Sequence, residues 1–351
     1  GKYSSFTERF LMSNKPKTIN GLMKYLRDTK GLNISGSSQK RKLMNIGYYH
    51  GYKGYRYIDK PTNRAPFTEF DELIAVYDFD MQLKALFYPY VMQIETALKN
   101  YVLEAIVESI QSDSFSDVYS KLLDNYKDFS TTGKTYRTPR DRERAEDRFK
   151  KELQRRLDLR NRIYGVQANA FKNDNKIAHH FLSKDKPLPI WGIFELLSLG
   201  EFGHFVSCLN KPCREKISIK LGIQQSDDTN SMMPQRLIYT TKDLRNAIAH
   251  NDVVFDTRFK TGSIDKQISN AILNATSVSG ITFDTITDYL VLLTYQLKLI
   301  GISKTELRRL IAGFSDAQEK LRSAIPASTY NQIIHTDNNR KIQALKAYIA
   351  K

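Results

Sequence analysis

Arg245 and His250 form an R-x4-H pattern, Arg245-Asn-Ala-Ile-Ala-His250, at the C-terminal end of a predicted helix. These residue types suit cleavage of RNA. RNA carries its own nucleophile, the 2′-hydroxyl, so a protein need only move protons and neutralise the charge that builds on phosphorus. Histidine titrates near neutrality and suits general acid or base work. Arginine presents a permanent fork of donors that matches phosphate oxygens. A position near a helix C-terminus favours the imidazolium through the helix dipole. At about 100° per residue, Asn246 and His250 share a face, whereas Arg245 lies about 140° from His250. Arg245 must therefore swing round, or the helix must distort, for both to meet one phosphate. Asn246 is placed to orient the imidazole or add a hydrogen bond to phosphate. No metal or other cofactor is expected, since no clustered Asp/Glu/His ligand set stands out. The same residues admit a second reading, in which His250 only stabilises the helix dipole and Arg245 forms a surface ion pair with Asp243 or Asp252.

Helical periodicity dominates the elements that must position these residues, and the expected class is all-α. Residues 18–30 read as a short amphipathic helix opened by Thr18 and stopped by Gly31, and a second helix is expected over Gln39–Ile46. Residues 47–58 hold five tyrosines and three glycines, a composition that favours a loop or small hairpin. Residues 69–110 predict one long helix bent near Pro89, or two consecutive ones. Shorter helices and loops are expected over 111–133. Residues 134–162 carry twelve positive and six negative side chains at helical spacing, as in a solvated helix. Lys186-Pro-Leu-Pro189 reads as a linker, followed by a buried helix over 190–209 interrupted around Gly200–Gly203. Residues 231–250 form the helix of the R-x4-H pattern, with Pro234 in its first turn. The stretch 257–280 is polar, and 282–351 predicts three or four helices separated by Gly301, Pro326 and Asp337-Asn338. The division this suggests is an N-terminal Tyr-rich helical region (1–66), a helical core (67–260) and a C-terminal helical region (261–351).

The charge balance points the same way as the chemistry. Lys and Arg total 54 against 38 Asp and Glu, a net of +16. Such a surplus usually serves a polyanionic partner, nucleic acid or an anionic membrane surface. No stretch approaches a membrane span and residues 1–30 hold no apolar signal core, so a cytoplasmic chain without a membrane partner is expected. The two cysteines, Cys208 and Cys213, make neither a zinc site nor a disulfide framework and read as reduced thiols. Candidate RNA contacts are Arg236 and Lys242 on the motif helix, Tyr52, Lys53 and Arg56 in the Tyr-rich segment, and Arg155, Arg156 and Arg160 in the basic helix. Tyr48 and Tyr49 read more readily as packing residues. His179-His180 suits a structural or capping role, because adjacent helical residues diverge by about 100°. His204 reads as a satisfied interior residue, and Trp191 as a core anchor at the linker exit.

Several segments together carry a resemblance. Lys15-Pro16 precedes a short helix; Ile46-Gly-Tyr-Tyr49 continues to Gly54-Tyr-Arg-Tyr57; Val76-Tyr-Asp-Phe-Asp80 precedes Ile94-Glu-Thr-Ala-Leu98. Leu188-Pro-Ile-Trp191 and Glu195-Leu-Leu-Ser-Leu-Gly200 follow, then Leu244-Arg-Asn-Ala-Ile-Ala-His250. In this order and spacing the chain resembles the abortive-infection proteins called Abi-like, of the AbiD/AbiF group. The resemblance implies a HEPN-like helical bundle with R-x4-H as its ribonuclease motif, a homodimer that pairs two motifs, an RNA substrate, and a small non-coding RNA as antitoxin. It also implies phage defence by halting growth of the infected cell. A non-catalytic RNA-binding sensor or regulatory HEPN subunit is the alternative. The chain departs from the family pattern at His50 and Lys99, where Arg is frequent, and at Asn251, where a second His is frequent.

Overall fold

The computed structural model describes residues 17–351, so Lys15-Pro16 and most of the first seventeen residues lie outside the described residues. Those described form an all-α protein of fifteen α-helices, with isolated bridges but no strand. Helices α1 (Ile19–Asp28) and α2 (Gly36–Ile46) open the chain. Thr18 caps α1 by accepting from the Gly21 amide, and Gly31 follows it at φ 63°, in agreement with the expected start and stop. Residues Gly47–Lys53 are neither loop nor hairpin but a π-helical turn. Gly51 makes that turn possible, because a Cβ there would lie 2.4 Å from the Ile46 side chain.

Helix α3 (Phe70–Ile110) is a single helix of 41 residues with Pro89 inside it. Leu73, Val76, Asp80, Leu83, Phe87, Val91, Ile94 and Leu98 recur at three and four and are buried, which makes this face the spine of the core. Helices α4 (Phe115–Lys121) and α5 (Pro139–Lys172) follow. The basic helix α5 runs ten residues beyond the expected charged stretch and buries only Leu159, Ile163 and Gln167. Helix α6 (Lys176–Leu182) leads to the Pro-containing loop, then come α7 (Ile190–Leu196) and α8 (Leu199–Cys208). The break between these two falls at Leu197-Ser198, not at Gly200–Gly203. Ser198 accepts from the Glu201 amide while Glu201 accepts from the Ser198 amide, a reciprocal cap that starts α8 there. The two glycines serve packing instead: a Cβ on Gly203 would lie 3.0 Å from Ile238 and Tyr239.

Helix α9 (Lys211–Lys220) precedes α10 (Met233–Ala249), which packs between α8 and α3. The polar stretch after it contains an unexpected helix, α11 (Lys266–Thr276), capped by Asp265 and buried along Ile268, Ala271 and Ile272. Four helices close the chain as expected: α12 (Ile286–Leu299), α13 (Lys304–Ala324), α14 (Ala327–Ile334) and α15 (Asn338–Ala350). One contiguous apolar cluster runs from Met23 to Ile349. No helix among the described residues is long and apolar enough to cross a membrane.

Candidate active site

Helix α10 ends in a manner that fixes its last residues. His250 is the C-cap and Asn251 follows in the left-handed region at φ 56°. The Asp252 amide donates to Ala247 O at 2.8 Å and the Asn251 amide to Ile248 O at 3.3 Å. This is the Schellman pattern, in which asparagine is the usual substitute for glycine. His250 is exposed at this terminus, and its ring makes no hydrogen bond or ion pair among the described residues.

Arg245 sits one turn earlier, its side chain 25 % exposed. Its Nε donates to Glu95 Oε2 at 2.9 Å and one Nη donates to Asn246 Oδ1 at 3.4 Å. The ion-pair partner is therefore not Asp243 or Asp252 but a buried carboxylate on α3, 150 residues away in sequence. Asp243 is occupied by Lys242 and the Thr261 hydroxyl. Glu95 is held from its other oxygen by Lys99 Nζ at 3.2 Å, which also donates to Leu197 O. The bond to Asn246 answers the periodicity problem: Arg245 leans toward the neighbour that shares a face with His250.

A second anchor lies fifteen residues earlier on α3. Asp80 is fully buried and accepts from the amides of Val254 and Phe255 and from the Tyr55 hydroxyl. Lys84 Nζ pairs with it at 2.8 Å and also donates to Asn251 Oδ1 at 2.9 Å. Burial, together with the Asp80 charge, pushes the Tyr55 phenol well above its ordinary range, so it stays a donor. The turn after His250 is thus tied to α3, while the Asn251 side-chain Nδ2 reaches His50 Nε2 at 3.4 Å on the π-helical turn. A Cβ on Gly54 would come within 3.3 Å of Val253, so the Tyr-rich element and the end of α10 lie in contact. Asp256 completes the bracing by accepting from the Asp59 amide and from Arg258.

The other predicted contacts separate. Tyr52 is 0 % and Arg56 2 % exposed, and Arg56 is spent on the carbonyls of Ala65 and Phe67. Neither can meet RNA on this surface, which corrects the sequence reading. Tyr49, assigned to packing, is instead 81 % exposed, whereas Tyr48 stacks on Tyr52. Lys53 lies over the Tyr48 ring. Arg236 is engaged by Asp265, Gln267 and Asn230. Lys242 lies beside Asp243 and over Tyr239. Arg155 donates to Ser207, and Arg156 clamps the carbonyls of Leu123 and Tyr119 while stacking on the Tyr119 ring. Arg160 alone of that trio is exposed. His179 accepts the expected capping role, bonding Phe171 O near the end of α5 at 3.0 Å. His204 bonds Arg155 O at 2.9 Å, and burial with the nearby Arg155 charge lowers its pKa. Trp191 is 41 % exposed against Phe181, not a core anchor. Both cysteines are free and buried, which pushes each thiol up to about 11.

An all-α bundle that presents an arginine, an asparagine and a histidine at one braced helix end defines the class. The chain belongs to the Abi-like protein family, whose model matches residues 41–256. No curated protein and no solved structure matches the chain. The matched span contains Glu95, Asp80, the π-helical turn and the whole of α10. The three departures from the family pattern noted above also converge here: Lys99 holds Glu95, and His50 meets Asn251. Glu95 and Asp80 are the residues that sequence reasoning missed. They stood inside two of the family marks, but nothing in their spacing revealed their partners.

Proposed function

We propose that this protein is a metal-independent endoribonuclease of an abortive-infection, toxin-type phage-defence system, built on a HEPN-like arrangement within residues 67–260. Membership of the Abi-like family supports the abortive-infection role. One observation carries the ribonuclease reading: Arg245, fixed by Glu95 and Asn246, stands one helical turn from an exposed imidazole at the same helix end. In the reaction the 2′-oxygen attacks the adjacent phosphorus and gives up its proton to a base. The P–O5′ bond breaks, and the 5′-oxygen takes a proton from an acid, leaving a 2′,3′-cyclic phosphate and a 5′-hydroxyl. His250 moves one of these protons. Arg245 donates its remaining N–H groups to the non-bridging oxygens, where charge develops. A homodimer that opposes two α10 ends would supply the second imidazole. The basic surplus suits both the substrate and a small non-coding antitoxin RNA.

The deciding experiment incubates the full chain with RNA in excess chelator and identifies product ends. Wild-type protein should yield cyclic phosphates, and His250→Ala should lose about 10²–10⁴-fold in rate with its melting temperature unchanged. Undiminished cleavage by His250→Ala would end this reading. A second reading, a non-catalytic RNA-binding sensor or regulatory subunit, is favoured by the carboxylate already seated on Arg245. Wild-type protein that binds RNA tightly and never cuts it would establish that alternative.

A further inference from the structure

We propose that Tyr49 and His50, at the tip of the π-helical turn, bind an unpaired nucleotide of RNA beside the phosphate met by Arg245 and His250. This rests on the reading above only in taking RNA as the ligand; binding does not require cleavage. π-helical turns are rare and gather at functional sites. Here the turn is braced from beneath and bare on top. Tyr52 and Tyr55 are fully buried beneath it, and Tyr55 is locked to Asp80. Tyr49 has none of this support: it is 81 % exposed and its ring meets no other ring among the described residues. A lone exposed aromatic needs no explanation. Its setting is what sets this one apart, since the next residue touches the residue that follows His250.

The hydrogen-bond pattern fixes what His50 offers. Lys84 can only donate, so Asn251 turns Oδ1 toward it and Nδ2 toward His50. His50 therefore accepts at Nε2, and in its neutral form carries its proton on Nδ1. That N–H has no partner among the described residues and is placed to donate to a phosphate or base oxygen. Beside it the Tyr49 ring offers a π-face, which any unstacked base can use. Paired bases are stacked within a helix and cannot use it. The ligand class is thus a single-stranded stretch with a phosphate on one side of the stacked base.

The test measures fluorescence anisotropy of a short labelled single-stranded RNA with the full chain in the His250→Ala background, so that the probe survives. Tyr49→Ala should weaken binding about tenfold, and Tyr49→Phe should restore it. His50→Ala should also weaken binding several-fold, with melting temperatures unchanged in all three. A duplex of the same length should be indifferent to Tyr49→Ala. Equal affinity of Tyr49→Ala and its parent for the single strand would overturn the proposal, as would absence of any RNA binding. Wild-type protein that loses affinity on Tyr49→Ala yet never cleaves would sink the ribonuclease reading and leave this one standing.

Discussion

Arg245 faces a competition between two anions, Glu95 and a substrate phosphate. Glu95 holds Arg245 Nε with one carboxylate oxygen and Lys99 Nζ with the other. Arg245 keeps Nε on Glu95 and presents its remaining N–H groups to phosphate, so the pair need not break, a step that costs about 3–5 kcal/mol when no partner remains. Glu95→Gln should free Arg245 yet lose its orientation, lowering KM while kcat falls about tenfold or more. Equal KM and kcat in the variant and wild type would show that Glu95 does not position Arg245. His204 gives a separate pH signature. Its folded pKa lies below the ordinary 6.5, so the unfolded chain binds the proton more readily. The stability it contributes is present above pH 6.5 and is lost as pH falls through the depressed value. His204→Gln, which can keep a donor for Arg155 O, should show a smaller fall in melting temperature between pH 7.5 and 5.5 than wild type.

The π-helical turn and the two ends of α8 and α10 decide where the site sits. At Gly51 a Cβ would lie 2.4 Å from Ile46 Cγ1, and the contact is to a packed branched side chain. Gly51→Ala should therefore cost about 1–3 kcal/mol of stability by denaturant unfolding, as overpacking does. It should also displace Tyr49 and His50. Within the basic helix, Arg156→Gln should destabilise by about 1–2 kcal/mol because two partly buried carbonyls lose their donor. Arg160→Gln should leave stability unchanged and flatten the salt dependence of single-strand RNA binding by about 0.7 in log–log slope if it meets a phosphate. Much of this element structure was legible: the cap at Thr18, the first-turn Pro234, the long α3 and the four closing helices follow from periodicity and punctuation. The break before α8 lies in the reciprocal cap of Ser198-Leu-Gly-Glu201, while the nearby glycines are ambiguous in sequence because glycine both breaks helices and permits close packing. Helix α11 escaped because its apolar stripe is short. The pairing of Glu95 with Arg245 could not be read, since chemistry at one position does not name a partner 150 residues away.

At the scale of the whole molecule, the C-terminal helices are locked to one another by charge as well as by apolar packing. Lys341 and Asp288 pair at 2.7 Å with both side chains buried, and Asp288 also accepts from the amides of Thr282 and Phe283. Lys341→Met alone should destabilise by about 3–5 kcal/mol in urea unfolding, because it leaves a buried carboxylate without its cation. Lys341→Met with Asp288→Asn should recover a large part of that loss. A single mutant as stable as wild type would show that the Thr282 and Phe283 amides suffice to hold Asp288.

Helix α3 holds both halves of the candidate site, Asp80 through the turn after His250 and Glu95 through Arg245. Its consequence is one of timing during synthesis. The helix leaves the ribosome long before α10 exists, and at ordinary elongation rates the 150 residues between Glu95 and Arg245 take about 8–30 s to make. For that interval two carboxylates wait without their long-range partners, and the Arg245–His250 geometry cannot form. A growing chain therefore carries no assembled site until residue 256 has emerged. On the proposed reading, a nascent chain would be inert toward RNA up to that point in its synthesis.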